Sequence, residues 1–172
     1  MRKPTTVMAA VLTASVVGAL GFAIAALAST DSPRAVAAET SETSEETTEQ
    51  ATVTKFAAAL SARAEVPKAV GVPANAGGAL KLDLKQDHGD YSISWTLTYR
   101  SLSGKALAAH IHKGAPGKAG PVLVALCGPC KTGQTGKAPV AKTVAAALKA
   151  KLAYVNVHTA KNKNGELRGQ LR

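Results

Sequence analysis

Strict alternation of apolar and polar residues predicts a β-hairpin in the middle of the chain. In residues 79–85, and again in residues 91–99, every second residue is apolar. This period of two is typical of a strand with one buried face. Gly89 lies in the polar turn between the two runs and is the residue best suited to a positive φ. The two runs are therefore predicted to pair with each other.

Shorter apolar runs predict further strands. Residues 53–64 read as extended, although their alanines also permit a helix, and residues 122–126 read as a buried strand. Residues 154–159 and 166–171 form a second predicted hairpin, whose loop contains the turn pair Asn164-Gly165. Many short strands separated by turn residues indicate an antiparallel β-sandwich or barrel.

One helix is predicted within this mainly β chain. Residues 131–138 are rich in Lys, Gly and Thr and are expected to form a loop. After them, apolar residues recur every four positions, at Val140, Val144, Leu148 and Leu152. That spacing predicts one amphipathic helix over residues 140–152, inserted between strands.

The N-terminal third of the chain is predicted to lie outside the folded domain. Residues 1–37 combine a positive start, a long apolar run and two Ala-x-Ala sites, which is typical of a signal peptide. The run is also long enough to remain as an N-terminal anchor. Residues 38–52 are a Ser/Thr/Glu linker with little to bury, and are expected to be disordered. The domain is predicted over residues 53–172, outside the cytoplasm.

Charge is distributed very unevenly between these parts. Residues 38–52 carry five glutamates and no base, whereas residues 53–172 carry 18 Lys/Arg and 5 Asp/Glu, a net charge of +13. Such a domain would attract an anionic surface polymer or an unknown extracellular protein. The simpler interpretation is that the lysines solvate its surface, because they are scattered and form no clustered basic run. Nucleic acid is not an expected partner, because aromatic residues make up only 3% of the chain. A membrane contact is expected only through an uncleaved N-terminal segment.

Two histidines on one predicted strand suggest a metal site. His110 and His112 are two residues apart, so their side chains share a face. This spacing lets two imidazoles reach one copper or zinc ion. If the strand of His158 pairs with theirs, His158 could supply a third ligand. Asn156 or Glu166 would then hold the ligands in place. The alternative is that the histidines only hydrogen-bond loop groups.

A glycine-rich loop follows the two histidines. Gly114, Gly117 and Gly120 recur every three residues, and in the alternative interpretation the histidines fix this loop. The glycines do not form a phosphate-binding loop, since no helix is predicted directly after them.

The two cysteines are predicted to form a local disulfide. Cys127-Gly128-Pro129-Cys130 spells the active-site tetrapeptide of thioredoxins, and that spacing lowers a thiol pKa. A thioredoxin cysteine opens a helix, however, and the glycines that follow Cys130 should not sustain one. With two cysteines in an exported chain, a structural disulfide is favoured over redox chemistry.

Glu166 and Arg168 lie two residues apart on the last predicted strand. An exposed ion pair between them is the simplest interpretation. If Tyr154 instead buries Arg168, the guanidinium is expected to organise the loop around His158.

Several of these motifs occur together in one known family. They are Phe56 to Leu60 leading into Glu65-Val66-Pro67, Ala109-His110-Ile111-His112 with Gly114 and Gly117, Gly120-Pro121-Val122, Leu126-Cys127, Tyr154-Val155-Asn156-Val157-His158-Thr159, and Asn164-Gly165-Glu166-Leu167-Arg168-Gly169-Gln170-Leu171. In this order they resemble the CHRD (chordin-type) domain, found in chordin, an extracellular antagonist of growth-factor signalling, and in secreted microbial proteins.

The resemblance implies a superoxide-dismutase-like or immunoglobulin-like β-sandwich in an extracellular protein, of the secreted microbial type. It implies no established biochemical role. The chain departs from copper–zinc superoxide dismutase, because its four histidines are too few for a two-metal site. We therefore expect a secreted or surface-tethered binding or structural module rather than an enzyme. The alternative is an extracellular copper- or zinc-binding protein, with weak redox activity as a further option.

Overall fold

The computed structural model describes residues 50–172, which form two four-stranded antiparallel sheets. The strands are β1 (Thr52–Leu60), β2 (Gly77–Asp87), β3 (Asp90–Arg100), β4 (Ala106–Lys113), β5 (Val122–Cys127), β6 (Gln134–Val140), β7 (Ala153–Thr159) and β8 (Leu167–Gln170). The one α-helix, α1, spans Lys142–Lys149, and a 3-10 turn spans Ala62–Ala64. The predicted fold class, an antiparallel β-sandwich with one helix, is confirmed.

The predicted signal peptide or anchor, residues 1–37, lies outside the described residues. Residues 38–49 of the predicted linker also lie outside them. Within the part of the chain that the structure describes, no helix is long and apolar enough to cross a bilayer.

The first sheet has the strand order β1-β2-β3-β6. The predicted hairpin is its centre: Leu82 lies opposite Trp95, and Leu84 lies opposite Ile93. Gly89 has the expected positive φ of +84°. The alternating leucines face inward because that face is covered by the second sheet, whereas their polar neighbours face solvent.

The second sheet has the strand order β5-β4-β7-β8, so the His110 strand and the His158 strand are neighbours. Backbone hydrogen bonds also join the two sheets along one edge. Ala57 and Arg172 exchange two of them (2.9 and 3.1 Å), and Ser61 and Arg168 exchange two more (3.0 and 3.2 Å). The sandwich is therefore closed along the edge between β1 and β8, as a barrel would be.

The core lies between the sheets and is mostly aliphatic. Fully buried side chains with no more than 1% exposure come from both sheets and from the helix: Leu80, Leu82, Leu84, Ile93, Leu97, Ile111, Leu148, Val155, Val157, Leu167 and Leu171. In β4 the inward residues are Ala109 and Ile111. The two histidines between and after them must therefore face outward.

Three element predictions differ from the structure. Residues 131–138 are not all loop, because β6 begins at Gln134 and pairs with β3. The helix is shorter than residues 140–152: Val140 still pairs with Tyr91 in the sheet, and Lys151 takes a positive φ of 58° after the last turn. Strand β5 is an edge strand, and its residues are intermediate or exposed rather than buried.

Candidate metal centre

The pairing of β4 with β7 brings the three histidines together. His112 lies opposite Tyr154, His110 opposite Asn156, and Ala108 opposite His158. Residues directly opposite in an antiparallel pair point to the same face. All three imidazoles therefore project from the outer face of the second sheet, although His112 and His158 are 46 positions apart in the sequence.

The three rings converge closely enough to share an ion. Each histidine offers one ring nitrogen, and these nitrogens all lie within 4.8 Å of one another. Among residues 50–172 this is the one group of three or more His, Cys, Asp or Glu side chains arranged in this way. The fourth histidine, His88, lies in the β2–β3 turn, with its Nε2 3.7 Å from Asp87.

Backbone carbonyls orient two of the rings. The Nδ1–H of His112 donates to the carbonyl oxygen of Gly120 (2.9 Å), and the Nδ1–H of His158 donates to that of Lys163 (2.9 Å). A carbonyl can only accept, so the proton of each neutral ring is on Nδ1 and the lone pair is on Nε2. Metal-binding histidines are commonly held by such an outer hydrogen bond.

The third ring shares a proton with its neighbour. Because Nε2 of His158 carries a lone pair, Nδ1–H of His110 is the donor in their 3.1 Å hydrogen bond. Burial lowers the pKa of His110, and the charges of His158 and His112 lower it further. Burial also lowers the pKa of His158, against the effect of the Lys163 carbonyl. Both shifts favour the neutral imidazole at His110 and His158, which is the form that binds metals.

A stack of side chains supports His112 from behind. The ring of His112 lies parallel to that of Tyr154, with 5.0 Å between centroids, and the guanidinium of Arg168 lies 3.4 Å from the centroid of the Tyr154 ring. Nε2 of His112 is buried and has no hydrogen-bond partner. A buried acceptor without a partner lowers the stability of the fold. A ligand bound through this nitrogen would supply the missing partner.

The glycine loop folds over this stack. Arg168 donates from Nη2 to the carbonyls of Ala115 (3.1 Å) and Lys118 (2.8 Å), and the backbone N–H of Gly120 donates to Tyr154 Oη (3.2 Å). The loop needs its glycines. A Cβ on Gly114 would lie 2.8 Å from the Lys118 carbonyl, and Gly117 has a φ of +74°.

Comparison with known protein families decides the family. The pattern that defines the CHRD domain matches residues 56–171, which is most of the described chain. This chain belongs to the CHRD-domain family. No curated protein matched the chain, and no solved structure matched it.

Two sequence-based expectations for Arg168 of this CHRD domain require correction. Arg168 is buried by Tyr154, as one alternative anticipated, but it holds the loop of residues 114–120 beside His112 rather than the loop around His158. In the described part of the chain, Arg168 and Glu166 do not form the expected exposed ion pair. Both are buried, with Arg168 1% exposed and Glu166 0% exposed.

Glu166 instead belongs to a separate buried network in the CHRD domain. It accepts hydrogen bonds from the backbone and hydroxyl of Ser103, from the hydroxyl of Thr159 (2.6 Å) and from Asn162 (2.9 Å). Burial alone would raise its pKa, but these four donors lower the pKa below its ordinary value. None of these contacts reaches the histidines.

Glu65 is a buried carboxyl that the sequence analysis did not single out for chemistry. It is 1% exposed, and one of its oxygens accepts a hydrogen bond from the Val66 backbone (3.0 Å). The other oxygen is buried without a partner, as is Oδ1 of Asn156. Burial raises the pKa of Glu65, partly offset by Val66, Arg168 and Asn156. The one feature of the sequence that pointed to Glu65 was its position in the Glu65-Val66-Pro67 motif.

The cysteines of the CHRD domain form the predicted local disulfide, Cys127–Cys130. Cys130 is 7% exposed, and the chain after it enters a turn and then β6. Because no helix follows, the stabilised thiolate of a thioredoxin has no counterpart at this position.

Proposed function

We propose that this chain is a secreted CHRD-domain binding module, and that His110, His112 and His158 form its copper or zinc site. The observation that carries the proposal is the convergence of the three imidazoles within 4.8 Å. A purely structural role for the histidines requires hydrogen bonds to loop groups but does not require three rings to meet.

The donor set suits these two metals. Neutral imidazole is a ligand for both zinc and copper, and Cu²⁺ binds a given nitrogen site more tightly than Zn²⁺. Tetrahedral zinc with Zn–N distances of 2.0–2.1 Å separates its ligand atoms by about 3.4 Å. The nitrogens of His110 and His158 are already 3.1 Å apart. A pair at the 4.8 Å limit would have to close by about 1.4 Å to share a tetrahedral ion. His110 and His158 are partly exposed, so an ion can enter from solvent.

The ligand atoms follow from the hydrogen bonds. His112 and His158 bind through Nε2 because carbonyls hold their Nδ1–H groups. His110 faces His158 through Nδ1, so holding a metal through that atom would require the proton on Nδ1 to move to Nε2 of the same ring. The proposal includes no catalytic step.

Export is part of the same proposal. The apolar run in residues 1–37, the disulfide and membership of a family found in extracellular proteins support it. We infer that residues 1–37 act as a signal peptide or anchor, residues 38–52 as a linker, and residues 53–172 as the binding domain of a secreted microbial protein.

Metal content measured by mass spectrometry tests the site. The full-length gene is expressed in an exporting host, and the recovered protein is compared with the His112→Ala and His158→Ala variants. His88→Asn is the matched control, because it removes a histidine outside the cluster and asparagine tolerates the positive φ of 45° at that position. The intact mass of the same preparation shows whether residues 1–37 have been removed.

We expect one copper or zinc per chain in the wild type and in His88→Asn, and none in the two site variants. Loss of a ligand should weaken binding by more than the roughly 10–100-fold that loss of an outer partner costs. Metal at 100 times its Kd should also stabilise the wild type by about 2.7 kcal/mol. A wild type that holds no metal and gains no stability from added copper or zinc would leave the histidines structural.

A further inference from the structure

The outer face of the first sheet carries a second feature, independent of the histidines. An open groove of about 980 Å³ runs across β1, β2, β3 and β6. Its outward-facing lining includes Lys55, Lys81, Asp83, Thr96, Lys137 and Arg172. The apolar side chains beneath it, such as Leu82 and Trp95, are buried in the core at 1% and 6% exposure.

Four of the five charged side chains in the groove are cationic. Its one acid, Asp83, already accepts an ion-pair hydrogen bond from Lys55 Nζ (3.0 Å). Within the described residues, Lys81, Lys137 and Arg172 have no carboxylate partner. Three cationic side chains thus share one concave surface without an ion-pair partner, which favours an anionic ligand.

Hydroxyl side chains lie between these cations. In the sheet register Lys81 lies opposite Thr96, and Lys137 lies opposite Ser94, so the two lysines flank the hydroxyls on β3. Thr135 on β6 extends the same row, opposite Thr96. The groove therefore alternates positive charge with neutral donors and acceptors.

We propose that this groove binds an acidic polysaccharide, a chain of sugar rings that carry carboxylate or sulfate groups. The lysines contact the acidic groups, and Ser94, Thr96 and Thr135 contact the sugar hydroxyls. The lining exposes no aromatic side chain on which a nucleic-acid base could stack. It also exposes no large apolar side chain that would insert into a membrane.

Binding of full-length protein to heparin, a sulfated polysaccharide, is the test. The dissociation constant is measured over a series of NaCl concentrations for the wild type and for Lys81→Gln/Lys137→Gln. The control is Lys105→Gln/Lys142→Gln, which removes the same charge from exposed positions before β4 and in the helix. Thermal unfolding checks that both double variants fold.

We expect the groove variant to bind about 10-fold more weakly near 0.15 M NaCl and its log–log salt slope to fall by about two, while the control changes by less than about 2-fold. Equal losses in both variants would mean that binding depends on net charge alone and would overturn the groove assignment. Equally tight binding of single-stranded DNA or anionic vesicles would overturn the choice of a polysaccharide. The histidines are unchanged in every variant, so failure here leaves the metal proposal standing.

Discussion

Two buried glutamates illustrate how neighbours decide the behaviour of the same side chain. Glu166 has four hydrogen-bond donors, and the pKa of its carboxyl is lowered despite burial. Glu65 has one donor to one oxygen and an unpaired second oxygen, and burial raises the pKa of its carboxyl. A depressed pKa in the folded state stabilises the fold above the unfolded pKa, whereas a raised pKa does the reverse.

Replacement of Glu166 by Gln should therefore cost stability mainly at neutral pH. We expect a loss of about 2 kcal/mol near pH 7, typical of buried hydrogen bonds to a charged group. Below about pH 4.5 the carboxyl protonates first in the unfolded chain, and the difference between wild type and variant should shrink as the pH falls through the lowered pKa of the folded state. The free energy of unfolding, measured in urea at several pH values for both proteins, shows how this difference changes with pH.

Glu65→Gln is the matched control, and its loss of stability relative to the wild type should change with pH in the opposite direction. This loss should decrease as the pH rises above about 4.5, because the wild type must then bury a charged carboxylate and the variant does not. Parallel pH profiles for the two variants would show that the two carboxyls do not differ in the folded state as their contacts indicate.

Strand β6 is an element that the pattern of apolar and polar side chains does not predict. Its residues include Gly136 and Pro139, and they lack the apolar alternation of β2 and β3. It is nevertheless a strand, because its backbone completes the edge of the sheet beside β3. Gly136 is needed there, since a Cβ would overlap the indole ring of Trp95.

Gly136→Ala should destabilise the protein by about 1–3 kcal/mol, the usual cost of forcing extra volume into a packed core. Gly104→Ala is the matched control, because its added Cβ meets nothing within 4 Å. It should change stability by no more than about 0.5 kcal/mol. Urea unfolding measures both, and an unaffected Gly136→Ala variant would contradict the close packing between β6 and Trp95.

In the whole molecule, the disulfide lies where the chain crosses from the second sheet to the first. Cys127 ends β5, and the backbone N–H of Cys130 donates to the Ala106 carbonyl (3.1 Å). The carbonyl of Cys130 accepts a hydrogen bond from Tyr99 Oη (2.8 Å). The crossing is thus held by backbone contacts as well as by the covalent bond.

The Cys127→Ala/Cys130→Ala variant should therefore keep the fold and lose about 2 kcal/mol, because the disulfide closes a loop with a sequence separation of only 3. Urea unfolding of the variant against the oxidised wild type measures the loss. The wild-type disulfide should also resist glutathione, as structural disulfides do. Ready reduction by glutathione would revive the thiol oxidoreductase alternative.

Local patterns were enough to predict the central hairpin, the shared face of His110 and His112, and the disulfide. Each of these depends on residues close together in the chain, where a period of two or a short spacing sets the geometry. The succession of short strands and turn residues indicated the fold class, and the motifs of the CHRD family agreed with it. None of this required knowledge of which strands are neighbours.

Long-range pairing decided the rest. His158 joins the other histidines because β7 lies beside β4 in one particular register, and Arg168 reaches Tyr154 and the glycine loop because β8 lies beside β7. The strand at residues 134–140 and the buried Glu65 also depend on partners distant in sequence. Backbone hydrogen bonds between strands carry no side-chain pattern, so the folded chain alone shows which distant residues meet.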